Sequence, residues 1–483
     1  MNAANVITLS PLVATGAASI VVMMAVVLGG GHRLVATLAA AGLAAAFALA
    51  CIAAPFAPRN VTPLVVVDRY ALFYTGLVAA AAFFVTLLSY DYLRRCDVHR
   101  REYYVLLLLA TTGAIVLVSS RHLASFFLGL EVLSVSLYGL IAYRRESEAG
   151  VEAAVKYLIL GGVSSAMLLF GAALVYADIG SMQLAEIAAR LTGRGYGVTL
   201  VAGLGMALAA VAFKMALVPF HTWAPDVYQG SPAPATAFIA TAWKGAIAAL
   251  LVRYFATAVN ASVALWAVFA IGAIATMFVG NLLALLATNV KRILAYSSIA
   301  HMGYILVAFL AGGQLAATAV TYYLVAYFVT MLGTFGVITA LSRGDRDADA
   351  MEDYRGLAWR RPGLAAVFTI MLLSLAGVPV TAGFVGKFWV LLVGARSSLW
   401  VLVFAMVVNS AMGLFYYLRI IIETYRMQPE KEAHAAAGAA PEERPLTAVA
   451  ATALAVLSGA LILLGVWPSP VIDMIKAAVT DLY

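Results

Sequence analysis

Three lysines stand where a charge is hard to keep. Lys214 lies deep in GLGMALAAVAFKMALVPF, Lys244 comes 12 residues after Pro232 and 9 before Arg253, and Lys387 follows 25 residues without a charge. Glu131 is alone in FFLGLEVLSVSLYGL, ten residues past Arg121 and thirteen before Arg144. At about 1.5 Å per helical residue, that is near the middle of a membrane-crossing helix. His301 stands in NVKRILAYSSIAHMGYILVAF, with Tyr296, Ser297, Ser298 and Tyr304 around it at helical spacing, enough to hold a short water chain. Each charge in hydrocarbon costs about 2.5–3.5 kcal/mol, so four unpaired ones would cost on the order of 10 kcal/mol, a whole domain's stability. They must be paired, hydrated or neutral. A lysine stripped of water holds its proton less tightly, and a carboxylate beside it restores the hold. A Glu–Lys pair whose separation changes is therefore a proton switch. The bland alternative is a static ion pair tying two helices; three lysines, a glutamate and a histidine in one chain favour the switch.

Other polar residues carry less. Lys156 sits near a helix start behind Glu152 and Arg419 near a helix end, where both can snorkel. His221 falls at a helix end as a cap or hydrogen-bonding group. The six His and the two Cys, Cys51 and Cys96, show no metal-ligand spacing, and a disulfide between an apolar run and an arginine-rich loop is not expected. No Gly-rich phosphate loop follows a strand, and no haem or flavin motif occurs.

The elements that position these groups follow from composition. Of 483 residues, 64% are hydrophobic and 11% charged, against the usual ~45–50% and ~25%. The mean hydropathy is +0.97. Too few polar side chains exist to coat a surface in water, which excludes a soluble enzyme, a nucleic-acid binder and a disordered scaffold. A helix needs about 20 apolar residues to cross hydrocarbon. Fourteen runs meet this, at about 9–29, 34–55, 70–90, 103–120, 123–143, 153–177, 198–220, 233–257, 262–285, 290–312, 316–341, 363–393, 398–424 and 446–467. They are continuous and Ala/Leu-rich, so the expectation is an all-α polytopic membrane protein and not a β-barrel. The first 31 residues hold no Lys or Arg, so a secretory leader would lack its basic start. With the N-terminus outside, the odd-numbered connections hold 17 Lys and Arg and the even-numbered ones 7. That bias puts both termini outside, in the periplasm of a Gram-negative cell. The +7 net charge is then largely topology signal. Two connections are long: 343–361, of mixed charge and on the cytoplasmic face, and 427–445, an Ala/Pro/Glu stretch that reads as a linker.

Two spans carry helix breakers. FKMALVPFHTWAPDVYQGSPAP has Pro219 five residues after Lys214, and SLAGVPVTAGFVGKFW has Gly377, Pro379, Gly383 and Gly386 before Lys387. Such breaks survive in a membrane only where protein or water satisfies the freed backbone groups. A plain proline kink is the simpler reading; a lysine beside each break points to a hydrated cavity. The spacing repeats as well. Lys214 to Lys387 is 173 residues and Glu131 to His301 is 170; Glu131 to Lys214 is 83 and His301 to Lys387 is 86. Two five-span units, offset by an odd number of spans, are inverted relative to each other, which is the sequence pattern of a transport path. The expected organisation is spans 1–3 in 1–102, a first half-channel of spans 4–8 in 103–257, a second of spans 9–13 in 258–426, and a linker with span 14 in 427–483.

LGLEVLSVSLYGLIAYRR, FKMALVPFHTWAPDVYQGSPAPATAF, NVKRILAYSSIAHMGY and SLAGVPVTAGFVGKFW, in this order, resemble the antiporter-like membrane subunits of respiratory complex I over about residues 100–425. The resemblance implies proton translocation within an NADH:quinone oxidoreductase of the bacterial inner membrane, with no redox centre in this chain and with FMN, iron–sulfur clusters and quinone elsewhere in the complex. It implies a neighbouring antiporter-like subunit and a small membrane subunit with buried carboxylates as partners, besides lipid and protons. Carried over, Glu131 and Lys214 are the switch pair, Lys244 the central relay, His301 a bridge, Lys387 the terminal residue, and Lys156 an extension on the cytoplasmic side. Some relatives carry Glu at the place of Lys387, so the terminal group here is an amine. The alternatives are a subunit of a multi-subunit sodium/proton antiporter or of a membrane-bound hydrogenase, an autonomous solute transporter, and a structural anchor.

Overall fold

The structure is a computed structural model that describes residues 3–96, 100–193, 196–344, 346–427 and 446–483. The expected linker falls almost wholly on 428–445, outside the described residues. Three N-terminal helices, α1 (Ala3–Val27), α2 (His32–Ala53) and α3 (Arg69–Arg95), are followed by α4 (Glu102–Val118), α5 (Leu123–Ile141), α6 (Glu148–Ile179), the short α7 (Leu184–Leu191) and α8 (Val198–Met215). Then come α9 (Trp223–Gly230), α10 (Ala233–Phe238), a π-helical turn at Ile239–Trp243, α11 (Lys244–Ala261), α12 (Val263–Leu286), α13 (Val290–Ala311) and α14 (Gly313–Leu341). The chain ends with α15 (Leu357–Arg360), α16 (Pro362–Ala376), α17 (Ala382–Arg396), α18 (Trp400–Tyr425), α19 (Ala448–Val466) and α20 (Ser469–Val479).

Twelve helical segments among the described residues are long and apolar enough to cross a membrane, and Glu102–Val118 and Pro362–Ala376 are shorter apolar helices. With these two the segments match the fourteen runs read from the sequence. The helix ends have local causes. Asp68, Ser147, Asn289, Thr381 and Thr447 each accept a backbone N–H of the first turn of the helix they precede. Gly180 and Gly377 end α6 and α16 with positive φ, where a side chain would be strained.

Burial is graded toward the middle. The apolar window of Ala233–Ala261 is wholly buried, and those of α13 and α14 are 94% and 89% buried, against 28% for α1. The helices that carry Lys244 and His301 are thus the protein-lined centre, and the Leu, Val and Phe side chains left exposed on α1, α6, α12 and α18 belong to the outer surface. Close approach of α6 and α8 depends on Gly171 and Gly203: a Cβ on either would stand 2.6–2.8 Å from the other's carbonyl oxygen.

The connections sort onto two faces. Arg101 reaches Gly30 O, Arg95 reaches Ser342 O, Arg144 and Lys291 meet Asp347, and Arg355 pairs with Glu423, which joins odd-numbered connections to one another. On the opposite face Arg121 N bonds Leu64 O, Leu184 N bonds Arg121 O, Arg69 pairs with Asp481, and Gln314 bonds Thr480. The C-terminus therefore lies with the even-numbered connections. So does the start of α1, where Ile7 and Leu9 pack beside Val67.

The break expected in the run at 363–393 is complete, with two separate helices meeting at Gly377 and Pro379, while other details depart from the spans above. The seventh span ends at Met215, not 220, and the sixth starts at Glu148, ahead of 153. A two-stranded ribbon, β1 (Arg59–Asn60) with β2 (Val66–Val67), closes the second connection. Two amphipathic helices, α7 and α20, lie outside the fourteen runs, and each buries one apolar stripe (Leu184, Ile187 and Leu191; Ile472, Ile475 and Val479). Arg253 and Lys291 are among the basic residues that the charge bias assigns to connections, yet their side chains are covered, 6% and 0% exposed.

Candidate functional site

Each break leaves carbonyls without helical partners, and each lies beside a lysine. At the first, α8 ends after Lys214 because Ala216 turns left-handed (φ 58°) and Pro219 follows. The freed carbonyl of Lys214 accepts the indole N–H of Trp243 (2.5 Å), and that of Phe213, which also takes Ala216 N–H, accepts the indole N–H of Trp223 (2.8 Å). The break is thus satisfied by protein, as a dry environment demands. Lys214 is 1% exposed, donates to Ser134 Oγ at 2.9 Å, and faces the Trp243 ring at 5.3 Å. Glu131 lies one turn before Ser134 on α5 and accepts the hydroxyl of Ser165 from α6. Among the described residues Glu131 and Lys214 form no ion pair; serines of two helices hold them separately.

Lys244 is wholly buried, directly after the π-helical turn, an irregularity often found at functional positions. Its ammonium donates to Ser298 Oγ at 2.5 Å. The same hydroxyl meets Tyr228 at 2.9 Å and Tyr327 at 2.6 Å, so Ser298 joins α9, α11, α13 and α14. One turn on, His301 bonds Tyr323 through Nδ1 (2.7 Å) and Tyr417 through Nε2 (3.2 Å), and Tyr417 in turn meets Ser297. A tyrosine at each ring nitrogen lets the imidazole accept on one side and donate on the other.

At the second break the geometry is reversed. Lys387 follows the interruption and reaches back, donating to Ala376 O at the end of α16 (2.8 Å) and to Ser410 Oγ on α18 (2.9 Å). His301, Tyr323, Tyr327, Ser374 and Lys387 line one small cavity, about 10 Å³, the room of roughly one water. Tyr327 touches both Ser298 and this cavity. The polar groups therefore run from Lys244 through Ser298 and Tyr327 to the space shared by His301 and Lys387. Between Lys214 and Lys244 no hydroxyl is shared among the described residues; Trp243 stands there.

Lys156 lies apart. It is half-exposed on α6 and bonds Glu152 (2.6 Å) and Asp226 (3.0 Å), and Asp226 also meets Arg292 (3.0 Å). This is a surface ion network at the face of the odd-numbered connections. Arg419 caps the carbonyls of Leu285 and Ala287 at the end of α12. His221 follows Pro219 inside the first break, with its buried Nδ1 unpartnered. Sequence reasoning missed Ser134, Ser165, Tyr327, Tyr417 and Ser410, since a serine or tyrosine in an apolar helix gives no charge signal. Their spacing from the lysines is set only by packing. Among the described residues no group of three or more His, Cys, Asp or Glu side chains gathers as metal ligands would.

The family described as NADH:quinone oxidoreductase/Mrp antiporter, transmembrane, matches residues 120–413, which hold both breaks, the buried Lys214, Lys244, His301 and Lys387, and the partly buried Glu131. NADH-quinone oxidoreductase subunit N of Methylococcus capsulatus is 45% identical over 473 residues, 96% of this chain and 93% of that one. A chain of respiratory complex I from Thermus thermophilus, solved with bound aureothin, superposes with a TM-score of 0.82 at 32% identity, over 97% of this chain and all of that one. The fold is shared more widely: a chain of the Mrp complex from Dietzia matches at TM-score 0.86 and 22% identity over 100% and 98% of the two chains. The LEVLSVSLYGLIAY wording and Lys387 already lean toward the N-type subunit, and the identity over nearly the whole length agrees with them. The chain belongs to the NADH:quinone oxidoreductase/Mrp antiporter family, as an antiporter-like, proton-translocating membrane subunit of the subunit N type.

Proposed function

We propose that this chain carries protons across the bacterial inner membrane through Glu131, Lys214, Lys244, His301 and Lys387, driven by quinone reduction elsewhere in an NADH:quinone oxidoreductase. The observation that carries the reading is the continuous set of hydroxyls from Lys244 through Ser298 and Tyr327 to the cavity of His301 and Lys387. Residues 103–257 form the first half-channel and 258–426 the second. Both termini face the periplasm, by the bias of basic residues toward the other face. FMN, iron–sulfur clusters and quinone belong to other subunits. The partners are a neighbouring antiporter-like subunit and a small membrane subunit with buried carboxylates, as the name of the Methylococcus relative suggests a place in such a complex. Lys156, in its exposed network, gathers protons at the cytoplasmic face.

The mechanism is electrostatic. A charge change in the neighbouring subunit moves Glu131 relative to Lys214 and alters how tightly Lys214 holds its proton. Separate serine perches for the two groups suit such a movement, because no strong ion pair must first be broken. Moving a unit charge against 100 mV takes about 2.3 kcal/mol. A tenfold change in proton affinity is worth about 1.4 kcal/mol, so a change of about a hundredfold at each site is of the right size. The proton then passes to Lys244, along Ser298 and Tyr327, and by water to His301 and Lys387, which exchanges with the far side. The test is Glu131→Ala and Lys214→Ala in assembled complex. Proton pumping should fall in both while electron transfer in the peripheral arm is untouched; wild-type pumping in both rejects the switch.

A further inference from the structure

Lys291 is a fourth fully buried lysine, and it is bonded differently from the three of the relay. An ammonium has three hydrogens to donate. Lys244 and Lys214 each place one on a side chain, and Lys387 places one on a side chain and one on a backbone carbonyl. Lys291 places all three: on Gln229 O (2.9 Å), on Ser231 O (2.6 Å) and on Asp347 Oδ2 (2.7 Å). The two carbonyls belong to the corner between α9 and α10, where Pro232 supplies no N–H and the helix is interrupted. Asp347 comes from the 343–361 connection and is itself held by Tyr92 Oη on α3 (2.7 Å), with Arg144 just beyond the end of α5 at 3.7 Å.

Through α13 the corner is gripped at two heights. Lys291 holds Gln229 and Ser231, and Ser298, seven residues or about 10 Å further along the helix, holds Tyr228 and Lys244. We infer that Lys291, tied down by Asp347, is a positioning residue that fixes the α9–α10 corner and thereby the register of the π-helical turn and Lys244 on Ser298. An ammonium with every hydrogen committed to an acceptor is a clamp, whereas one with hydrogens free can pass a proton on. Arg144 lies just past the helix that carries Glu131, so Asp347 also links the end of the switch helix to the segment that carries the central lysine.

This rests on the relay proposed above, and the experiment separates the two. Proton uptake per quinone reduced is measured in membrane vesicles holding assembled complex with Lys291→Met, Lys291→Arg, Asp347→Asn or Lys244→Met, each normalised to complex content. Pumping per complex should fall at least fivefold in Lys291→Met, fall less in Asp347→Asn, and recover in part in Lys291→Arg, which keeps the charge and the donors. Hydrogen exchange of the 228–243 amides in Asp347→Asn complex should quicken relative to those of the α16–α17 break, a readout that stands even if Lys291→Met does not assemble. Normal pumping per complex in Lys291→Met, or unchanged exchange at 228–243 in Asp347→Asn, overturns the clamp while Lys244→Met remains defective. Normal pumping in Lys244→Met would instead remove the relay on which the clamp depends.

Discussion

Lys214 and Glu131 are held apart by two serines: the ammonium rests on Ser134 Oγ at 2.9 Å, and the carboxylate takes the hydroxyl of Ser165. Glu131 and Ser134 lie one turn apart on α5, so a small shift of that helix changes which acceptor the lysine meets. A buried ion pair in firm contact would resist separation. Two hydroxyl perches make it easier.

Ser134→Ala removes the acceptor of the Lys214 ammonium. A hydrogen bond to a charged group is worth about 1.5–3 kcal/mol. Its loss should bias Lys214 toward Glu131 and slow proton uptake by about tenfold or more in vesicles with assembled complex. Ser134→Thr, which keeps the hydroxyl, should stay near wild type.

Ser298→Ala takes one hydroxyl from Lys244, Tyr228 and Tyr327 together. Pumping should fall nearly as far as in Lys244→Met, and Ser298→Thr should restore much of it. Equal pumping in Ser298→Ala and wild type would mean that protons leave Lys244 by another way.

Trp243→Phe keeps an aromatic ring near Lys214 and removes the N–H that satisfies the Lys214 carbonyl. A buried carbonyl left without a donor costs about 1–3 kcal/mol. The complex should unfold at lower temperature or denaturant concentration, measured by loss of this subunit from the assembled complex on heating.

The ion pair of Arg253 with Asp68, each about 6% exposed, ties α11 to the cap of α3 at the face of the even-numbered connections. Removing one member leaves a buried charge uncompensated, at about 3–5 kcal/mol. Arg253→Met or Asp68→Leu alone should sharply lower the amount of assembled subunit, and the double substitution should recover part of it. Lys476→Ala, at a surface pair on α20, should change it little.

The sequence was readable where charge and apolar length set the answer. Fourteen runs, two breaks and five stranded ionisable residues follow from the cost of polarity in lipid, and the structure has helices and interruptions there, with Lys214, Lys244, His301 and Lys387 buried and Glu131 partly so. Two kinds of feature were not readable. The first is the set of Ser and Tyr partners: Ser298 and Tyr327 are 29 residues apart and meet only because α13 and α14 pack. The second is the burial of Arg253 and Lys291. Lys291 lies at the start of α13 and Arg253 in the half of α11 toward the connection that follows it, where basic residues ordinarily reach water, and each is instead covered by a partner from far along the chain, Asp347 or Asp68. In the 343–361 connection, read as a charged loop, Tyr354 and Leu357 are fully buried, and burial with the neighbouring aspartates holds the Tyr354 phenol well above its usual range.

The central claim is that protons cross this chain by way of its buried amines. It is met most directly by the proton-to-quinone ratio of complex carrying Lys244→Met, reconstituted in sealed vesicles beside wild type at equal assembly. A ratio lowered well below wild type, with electron entry through the peripheral arm unchanged, is the predicted result. A wild-type ratio would contradict the account.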